Sequence, residues 1–247
     1  MADMFDNITS RQLQILEATI NEFLGEENIE IASSYIVDRY DLDACPATVR
    51  TEMAFLEKLG YLIKPHISSG RIPSSIGIKY YLSNLLKETE ISNTVKESIK
   101  AKISAKADDL YSMLTEAVTV TTRLTDELVI ANIDGFLIRR NTYRIMKYPE
   151  IMDTSVIASI LHLSENPKHI LKLTKNVSDD VFVIIGEDIN YDSAKNLAII
   201  GKLFTGLNNS QGLISIISSK RINYPKVIPI IRYITDVIQS SISKWAW

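Results

Sequence analysis

Between Cys45 and Pro73 the sequence changes its hydrophobic period, and that change constrains the fold more than any other feature of the 247-residue chain. Pro46 has a preset φ and no N–H to lose, which suits the first turn of a helix and leaves Cys45 as its cap. Val49, Met53 and Leu56 then repeat at helical spacing, and Gly60 supplies a stop. Directly afterwards come Tyr61-Leu62-Ile63-Lys64-Pro65-His66 and, across Ile67-Ser68-Ser69-Gly70, Arg71-Ile72-Pro73. Two short strands around a polar, glycine-containing tip predict a β-hairpin. Upstream, Thr9 and Gln12 form a capping box with Ile8 and Leu13 placed as a hydrophobic staple. Leu13, Leu16, Ile20 and Phe23 or Leu24 mark a first amphipathic helix, and a second short one runs from about Ser33 to Tyr40. Three short helices closed by a hairpin predict a winged helix-turn-helix, whose third helix enters the DNA major groove while the wing lies along the backbone or minor groove.

Charge is distributed accordingly. The net charge is −3, with 27 basic and 30 acidic side chains. Residues 1–45 carry 2 basic and 10 acidic groups, whereas residues 46–87 carry Arg50, Lys58, Lys64, Arg71, Lys79 and Lys87 against only Glu52 and Glu57. A local basic segment is what a phosphate backbone responds to at physiological screening lengths. Apolar runs such as Val181 to Gly186 fall well short of a membrane span, and Met-Ala-Asp-Met-Phe-Asp-Asn has acids where a signal peptide has bases. A cytoplasmic, soluble protein is expected.

The remainder predicts a helix-covered sheet. Lys87 to Met113 has the period of one long charged helix, with Val95, Ile99, Ile103, Leu110 and Leu114 as its apolar stripe. Val118 to Arg123 and Leu128 to Ile138 read as strands, and Thr154 to Leu161 and Pro167 to Leu173 as helices. Val181 to Gly186, Leu197 to Phe204 and Leu213 to Ile217 read as buried strands. Pro225 starts a closing helix marked by Val227, Ile231, Ile234, Ile238 and Ile242. The fold class is therefore α+β: a winged helix-turn-helix over residues 1–86, a linker helix over 87–117 and an α/β domain over 118–247.

Catalysis finds little support. His66, His162 and His169 lack metal-ligand spacing, the lone Cys45 excludes an internal disulfide and reads as a cap in place of serine, and no phosphate-cradling glycine loop is present. No enzyme activity, metal or cofactor is expected. Gly186-Glu-Asp188 reads as a solvated turn. In contrast, Ala47, Thr48, Arg50 and Thr51 lie near the N-terminal end of the exposed face of the third helix. Small residues let that helix approach base edges, Arg50 can fork onto guanine, and a threonine can offer its methyl to thymine or its hydroxyl to phosphate.

Ile8-Thr-Ser-Arg-Gln-Leu, Ala47-Thr-Val-Arg-Thr-Glu-Met-Ala-Phe-Leu-Glu-Lys-Leu-Gly-Tyr-Leu62 and Lys64-Pro-His-Ile-Ser-Ser-Gly-Arg-Ile-Pro73, continuing to Gly77 and Lys79-Tyr-Tyr-Leu82, closely resemble the heat-inducible transcription repressor HrcA family. Phe182-Val-Ile-Ile-Gly-Glu-Asp188 resembles the family's strand and Ile-Gly-Glu turn, and Gly212-Leu-Ile-Ser-Ile-Ile with Arg221-Ile-Asn-Tyr224 its C-terminal region. Departures include Cys45 for a capping serine, Thr51 for asparagine, Ile67 for threonine, and Ser218-Ser219-Lys220 for Gly-Pro-Thr. Residues 118–148 are too few for the inserted dimerising domain of typical members, so the chain resembles a trimmed form.

The resemblance implies a GAF-like C-terminal domain and a repressor of heat-shock chaperone genes that binds double-stranded DNA at an inverted-repeat operator as a homodimer, with the chaperonin as a further partner. The residues expected at the DNA are Ser33, Ser34, Ala47, Thr48, Arg50, Thr51, Lys64, His66, Ser68, Arg71 and Lys79, with Gly70 taking a positive φ at the wing tip. Two other readings stand beside this one: a sensor holding a small molecule in its GAF-like domain, and a winged helix serving as a protein-interaction module. Dimer contacts are expected on the helix from about Ile91 to Leu114 or on the C-terminal domain, unless that helix only packs on its own sheet.

Overall fold

The computed structural model describes residues 8–25, 30–66, 69–174 and 180–245. Helix α1 (Ser10–Leu24) starts at the predicted capping box: Thr9 N–H donates to Gln12 Oε1 at 2.9 Å and Gln12 N–H to Thr9 Oγ1 at 3.3 Å. Helix α2 (Ser33–Arg39) and helix α3 (Pro46–Lys58) follow, the latter with Cys45 as cap and Pro46 in its first turn. Gly60 ends α3 at a φ of +81°, a conformation that disfavours any residue with a Cβ. Strands β1 (Leu62–Ile63) and β2 (Ile72–Pro73) pair antiparallel, with Leu62 opposite Pro73 and Ile63 opposite Ile72. Ile15, Leu16, Ile20, Ile36, Val49, Met53 and Leu56 fill the core between the helices, each fully buried. Three helices on a shared core with a paired hairpin after the third match the arrangement expected of a winged helix-turn-helix. Helix α4 (Ser75–Asn84) completes it. Ser74 Oγ accepts from Gly77 N–H at 2.9 Å and donates to the Gly60 carbonyl at 2.6 Å. A Cβ on Gly77 would lie 2.2 Å from the Tyr61 carbonyl oxygen, so only glycine lets α4 approach this closely.

The chain divides into two compact units, Met1–Lys87 and Glu88–Trp247. In the second, helix α5 (Asn93–Ser104) and helix α6 (Leu110–Thr125) replace the single long helix expected, because Asp109 caps α6 by accepting from Ser112 N–H at 2.7 Å. Ile99 and Ile103 of α5 are buried within this unit, where α5 packs on α6 and on helix α9 (Tyr224–Ile242). The expected strand over Val118 to Arg123 is helical. Its β-branched residues suggested a strand, but Met113, Leu114, Ala117, Val118, Thr121 and Thr125 form one buried stripe at helical spacing. Thr119, Thr121 and Thr125 each donate a hydroxyl hydrogen bond to the carbonyl four residues earlier, which removes the cost of burying it. The single strand expected over Leu128 to Ile138 is a hairpin of β3 (Leu128–Ile133) and β4 (Phe136–Arg140). Asp134 and Gly135 both have positive φ at its tip.

Helices α7 (Thr154–Glu165) and α8 (Pro167–Leu173) precede strands β5 (Phe182–Ile185), β6 (Leu197–Thr205) and β7 (Gln211–Ser219). The sheet order is β4-β3-β7-β6-β5 with every pair antiparallel. With helices on both faces, this is a GAF-like α+β domain. Coverage on both sides explains why β6 and β7 read as continuous apolar runs rather than alternating ones. Leu128, Ile130, Leu197, Ile199, Leu213 and Ile217 pack with Ile145, Ile160, Leu163 and Ile170 into one filled core.

Helix α9 contains an interior proline, Pro229. Lacking an N–H, it leaves the Pro225 carbonyl without its helical donor. Thr89 N–H, at the chain's entry to this unit, supplies one at 2.8 Å. One turn further, Arg232 ties down the same segment through both Glu88 oxygens and also holds Asp180 at 2.9 Å. At the end of β7, Ser218 donates to Glu127 at 2.8 Å and Ser219 donates to Glu150. Glu127 is 3% exposed, and burial pushes its carboxyl up although Lys147, Tyr148 and Ser218 all donate to it. Two of the residues that the resemblance sets against Gly-Pro-Thr thus donate to acids, the buried Glu127 and the half-buried Glu150.

Candidate nucleic-acid interface

Helix α3 is held by Val49, Met53 and Leu56, which are fully buried. This orientation leaves Ala47, Arg50, Thr51 and Phe55 exposed on the opposite face, with Thr48 half-buried beside them. Thr51 Oγ1 donates to the Ala47 carbonyl at 3.1 Å, so its methyl is what the helix presents outward. Thr48 Oγ1 lies 3.3 Å from Cys45 Sγ. The Thr48 hydroxyl, followed by the backbone N–H groups of Thr48 and Ala47, holds the exposed Cys45 thiol below its ordinary range.

Both acids of the basic segment are engaged inside the fold. Glu52 accepts from Gln12 Nε2 at 2.8 Å, and Glu57 accepts from Arg71 Nε at 3.0 Å. Among the described residues, Arg50 and Lys64 take part in no ion pair, and both are exposed. With Glu57 and Arg71 compensating each other, Arg50 and Lys64 are cations that α3 and the hairpin offer to solvent without a partner of opposite charge among the described residues.

The hairpin is anchored to the start of α2. Ile31 and Arg71 exchange both backbone hydrogen bonds at 2.9 Å, extending the two-stranded sheet by a bridge. Gly70 is required there for a reason other than the expected positive φ. A Cβ would sit 2.7 Å from the carbonyl carbon and oxygen of Ile31, so glycine permits close backbone approach, and its φ is not in the left-handed region. Ser69 Oγ accepts from His66 N–H and donates to the His66 carbonyl, both at 2.9 Å, closing the tip.

Of the residues expected at DNA, Ala47, Arg50, Thr51, Lys64 and His66 are exposed on α3 and the hairpin, and Ser34 is exposed at the start of α2. Ser33, its neighbour, is only 6% exposed, because it turns toward the core as α2 begins. Arg71 is 12% exposed and paired with Glu57, so its guanidinium fastens the wing to α3. Lys79 is half-buried on α4, and Ser68 lies outside the described residues. Arg50, Lys64, Ser33, Ser69 and Arg71 border a cleft of about 360 Å³ between α2, α3 and the hairpin. Cationic side chains around such a cleft can hold a phosphate group. Phe55 was not among the expected residues. Its signal is an apolar side chain four positions after Thr51, off the buried stripe of α3.

Elsewhere, His162 Nδ1 pairs with Tyr191 OH at 2.7 Å and the His169 ring stacks edge-on to the same tyrosine. Among the described residues no group of His, Cys, Asp or Glu is arranged to hold a metal, and no helix is long and apolar enough to cross a membrane.

A crystal structure of a hypothetical protein at 2.2 Å resolution is similar in fold, with a TM-score of 0.81 at 16% identity, covering 96% of this chain and 99% of that one. The heat-inducible transcription repressor HrcA of Clostridioides difficile (strain 630) is 30% identical over 154 residues, covering 62% of this chain and 45% of that protein. HrcA of Mycoplasma pneumoniae is 33% identical over 168 residues, or 68% of this chain and 46% of the relative. The chain spans about half the length of these curated relatives. The family model for the HrcA protein C terminal domain matches residues 74–228, from the cap of α4 into α9. Since that match takes in the whole GAF-like sheet and more than half of the chain, the chain belongs to the HrcA family.

Proposed function

We propose that this chain is a non-enzymatic, cytoplasmic transcriptional repressor of heat-shock chaperone genes that binds an inverted-repeat DNA operator as a homodimer. Residues 1–86 meet the DNA in this reading, and the rest of the chain regulates and dimerises. The observation that carries it is the face of α3, where Arg50 is exposed beside a hairpin bearing Lys64 and His66 while both neighbouring acids are engaged. One winged helix covers one half-site, so a twofold operator matches a twofold protein. The relatives' name, heat-inducible transcription repressor, supports the regulatory role. Heat responsiveness, with the chaperonin maintaining the active repressor, belongs to the same proposal and requires a regulatory unit that opens at modest free-energy cost.

Selection of bound sequences from a library of random duplex DNA is the direct test. Enrichment of a sequence whose two halves are related by inversion supports the reading. A chain that enriches no sequence, or retains all duplexes equally at moderate salt, rules it out.

A further inference from the structure

Ala47, Thr51 and Phe55 follow one another at four-residue intervals, so they line up along a single edge of α3. All three are exposed, and Phe55 keeps 39% of its surface in solvent. None of them offers a free hydrogen-bond donor outward: alanine and phenylalanine side chains have none, and the Thr51 hydroxyl donates its proton to the Ala47 carbonyl at 3.1 Å. The stripe is therefore mostly methyl and ring surface without a free donor, yet Arg50 and Lys58 are exposed on the same helix and Lys64 follows on the hairpin. A stripe among cations suits an anionic partner that itself offers apolar groups at close spacing.

Duplex DNA has one methyl group in its major groove, the C5-methyl of thymine, set among base-edge groups that mostly donate or accept hydrogen bonds. We infer that Ala47, Thr51 and Phe55 form a thymine-methyl reading edge, so that the preferred half-site carries thymines where this stripe crosses the groove. The inference rests on the DNA-binding reading and deepens it by naming the bases. Ala47 and Phe55 are about 12 Å apart along the helix axis, which spans about four base pairs at 3.4 Å each. A guanine or cytosine edge set against Ala47 or Phe55 loses water without gaining a side-chain partner, so those two positions also select against those bases.

The probe is the set of duplexes that the full chain enriches from random DNA, remade with deoxyuridine replacing each thymidine in turn. Uracil pairs like thymine and lacks only the methyl. The expected result is binding about fourfold weaker for each methyl the stripe covers. Thr51→Ser, which removes the side-chain methyl but keeps the hydroxyl, should abolish the thymine–uracil difference at one position. Thr51→Val, which keeps a methyl and removes the hydroxyl, should preserve it. Phe55→Ala should abolish the difference at a second position.

If enriched duplexes bind equally well with uracil throughout, the thymine inference is overturned while DNA binding stands. Indistinguishable Thr51→Ser and Thr51→Val proteins would overturn the methyl assignment. Unchanged binding of every duplex by Phe55→Ala would overturn the role of the ring and point to a protein partner for that face. Failure to enrich any duplex would remove the DNA-binding reading itself, and the inference with it.

Discussion

At the scale of single residues, the candidate interface separates cations that face solvent from one that holds the protein together. Arg50 is exposed on α3, so Arg50→Ala should cost roughly 1–3 kcal/mol on the selected operator and relax its base preference. Lys64→Ala should weaken all duplexes alike and reduce the salt dependence of binding by about one counterion. Anisotropy titrations of operator and scrambled duplex across salt concentrations separate the two effects. Equal losses on both duplexes for Arg50→Ala would show that it contacts only the backbone. Arg71 belongs to another class, because its side chain is 12% exposed and bonded to Glu57. A double-mutant cycle of Arg71→Ala and Glu57→Ala, read by urea unfolding, should give a coupling of roughly 0.5–1 kcal/mol. Zero coupling would leave Arg71 free for the DNA role that its place in the motif suggested. The tip glycine shows a similar shift of reason. Gly70 looked like a residue chosen for a turn, and the constraint is the Ile31 backbone 2.7 Å from where its Cβ would be.

At the scale of elements, α9 shows how a defect within one helix becomes a fastening point for another segment. Pro229 cannot donate to the Pro225 carbonyl, Thr89 N–H does so instead, and Arg232 one turn on binds Glu88 and Asp180. Arg232→Ala should free the segment before α5, seen as faster amide exchange at Thr89 with the sheet amides unchanged. Protection at Thr89 equal to that of the parent protein would mean that the proline-released carbonyl suffices alone. The pair also has a pH signature. Hydrogen bonding from Arg232 holds the Asp180 carboxyl below its ordinary value of 3.8. A depressed folded-state value contributes stability that is present above the ordinary value and lost as pH falls through the depressed one. The parent protein should therefore lose more stability than Arg232→Ala on acidification below about pH 4, measured by thermal unfolding at successive pH values. Parallel curves would contradict the pairing. Elements were also where sequence patterns misled. Threonine and valine in 118–123 suggested a strand, and hydroxyl bonds to the preceding turn let the same residues sit in α6. Asp134-Gly135, a hairpin signal in its own right, lay inside what read as one long strand.

At the scale of the whole molecule, the proposed operator imposes a geometric demand: two recognition helices must be presented about 34 Å apart, one turn of DNA, or a multiple of it. A lone copy cannot meet it. Sedimentation across concentrations, with and without the selected duplex, should show two copies per operator. One copy bound with no preference for paired half-sites would remove the dimer from the proposal. Ile99 and Ile103 are unavailable for such a contact, since both are buried within their own unit, so the surface has to be sought beyond the α5 stripe. What the sequence determined by itself are the features written in short stretches: the Thr9–Gln12 capping box, Pro46 opening α3, Gly60 ending it, and the hairpin that follows. These depend on neighbours a few residues apart, and for such neighbours residue type and spacing settle the backbone. Which cations stay free, why Gly70 is glycine, how the strands are ordered and what the Ser218 hydroxyl serves were decided only by the tertiary structure. Each rests on partners brought together from distant positions, Arg71 with Glu57, Gly70 with Ile31, β3 with β7, and Ser218 with Glu127, and linear spacing does not encode distances between segments that meet only when the core closes.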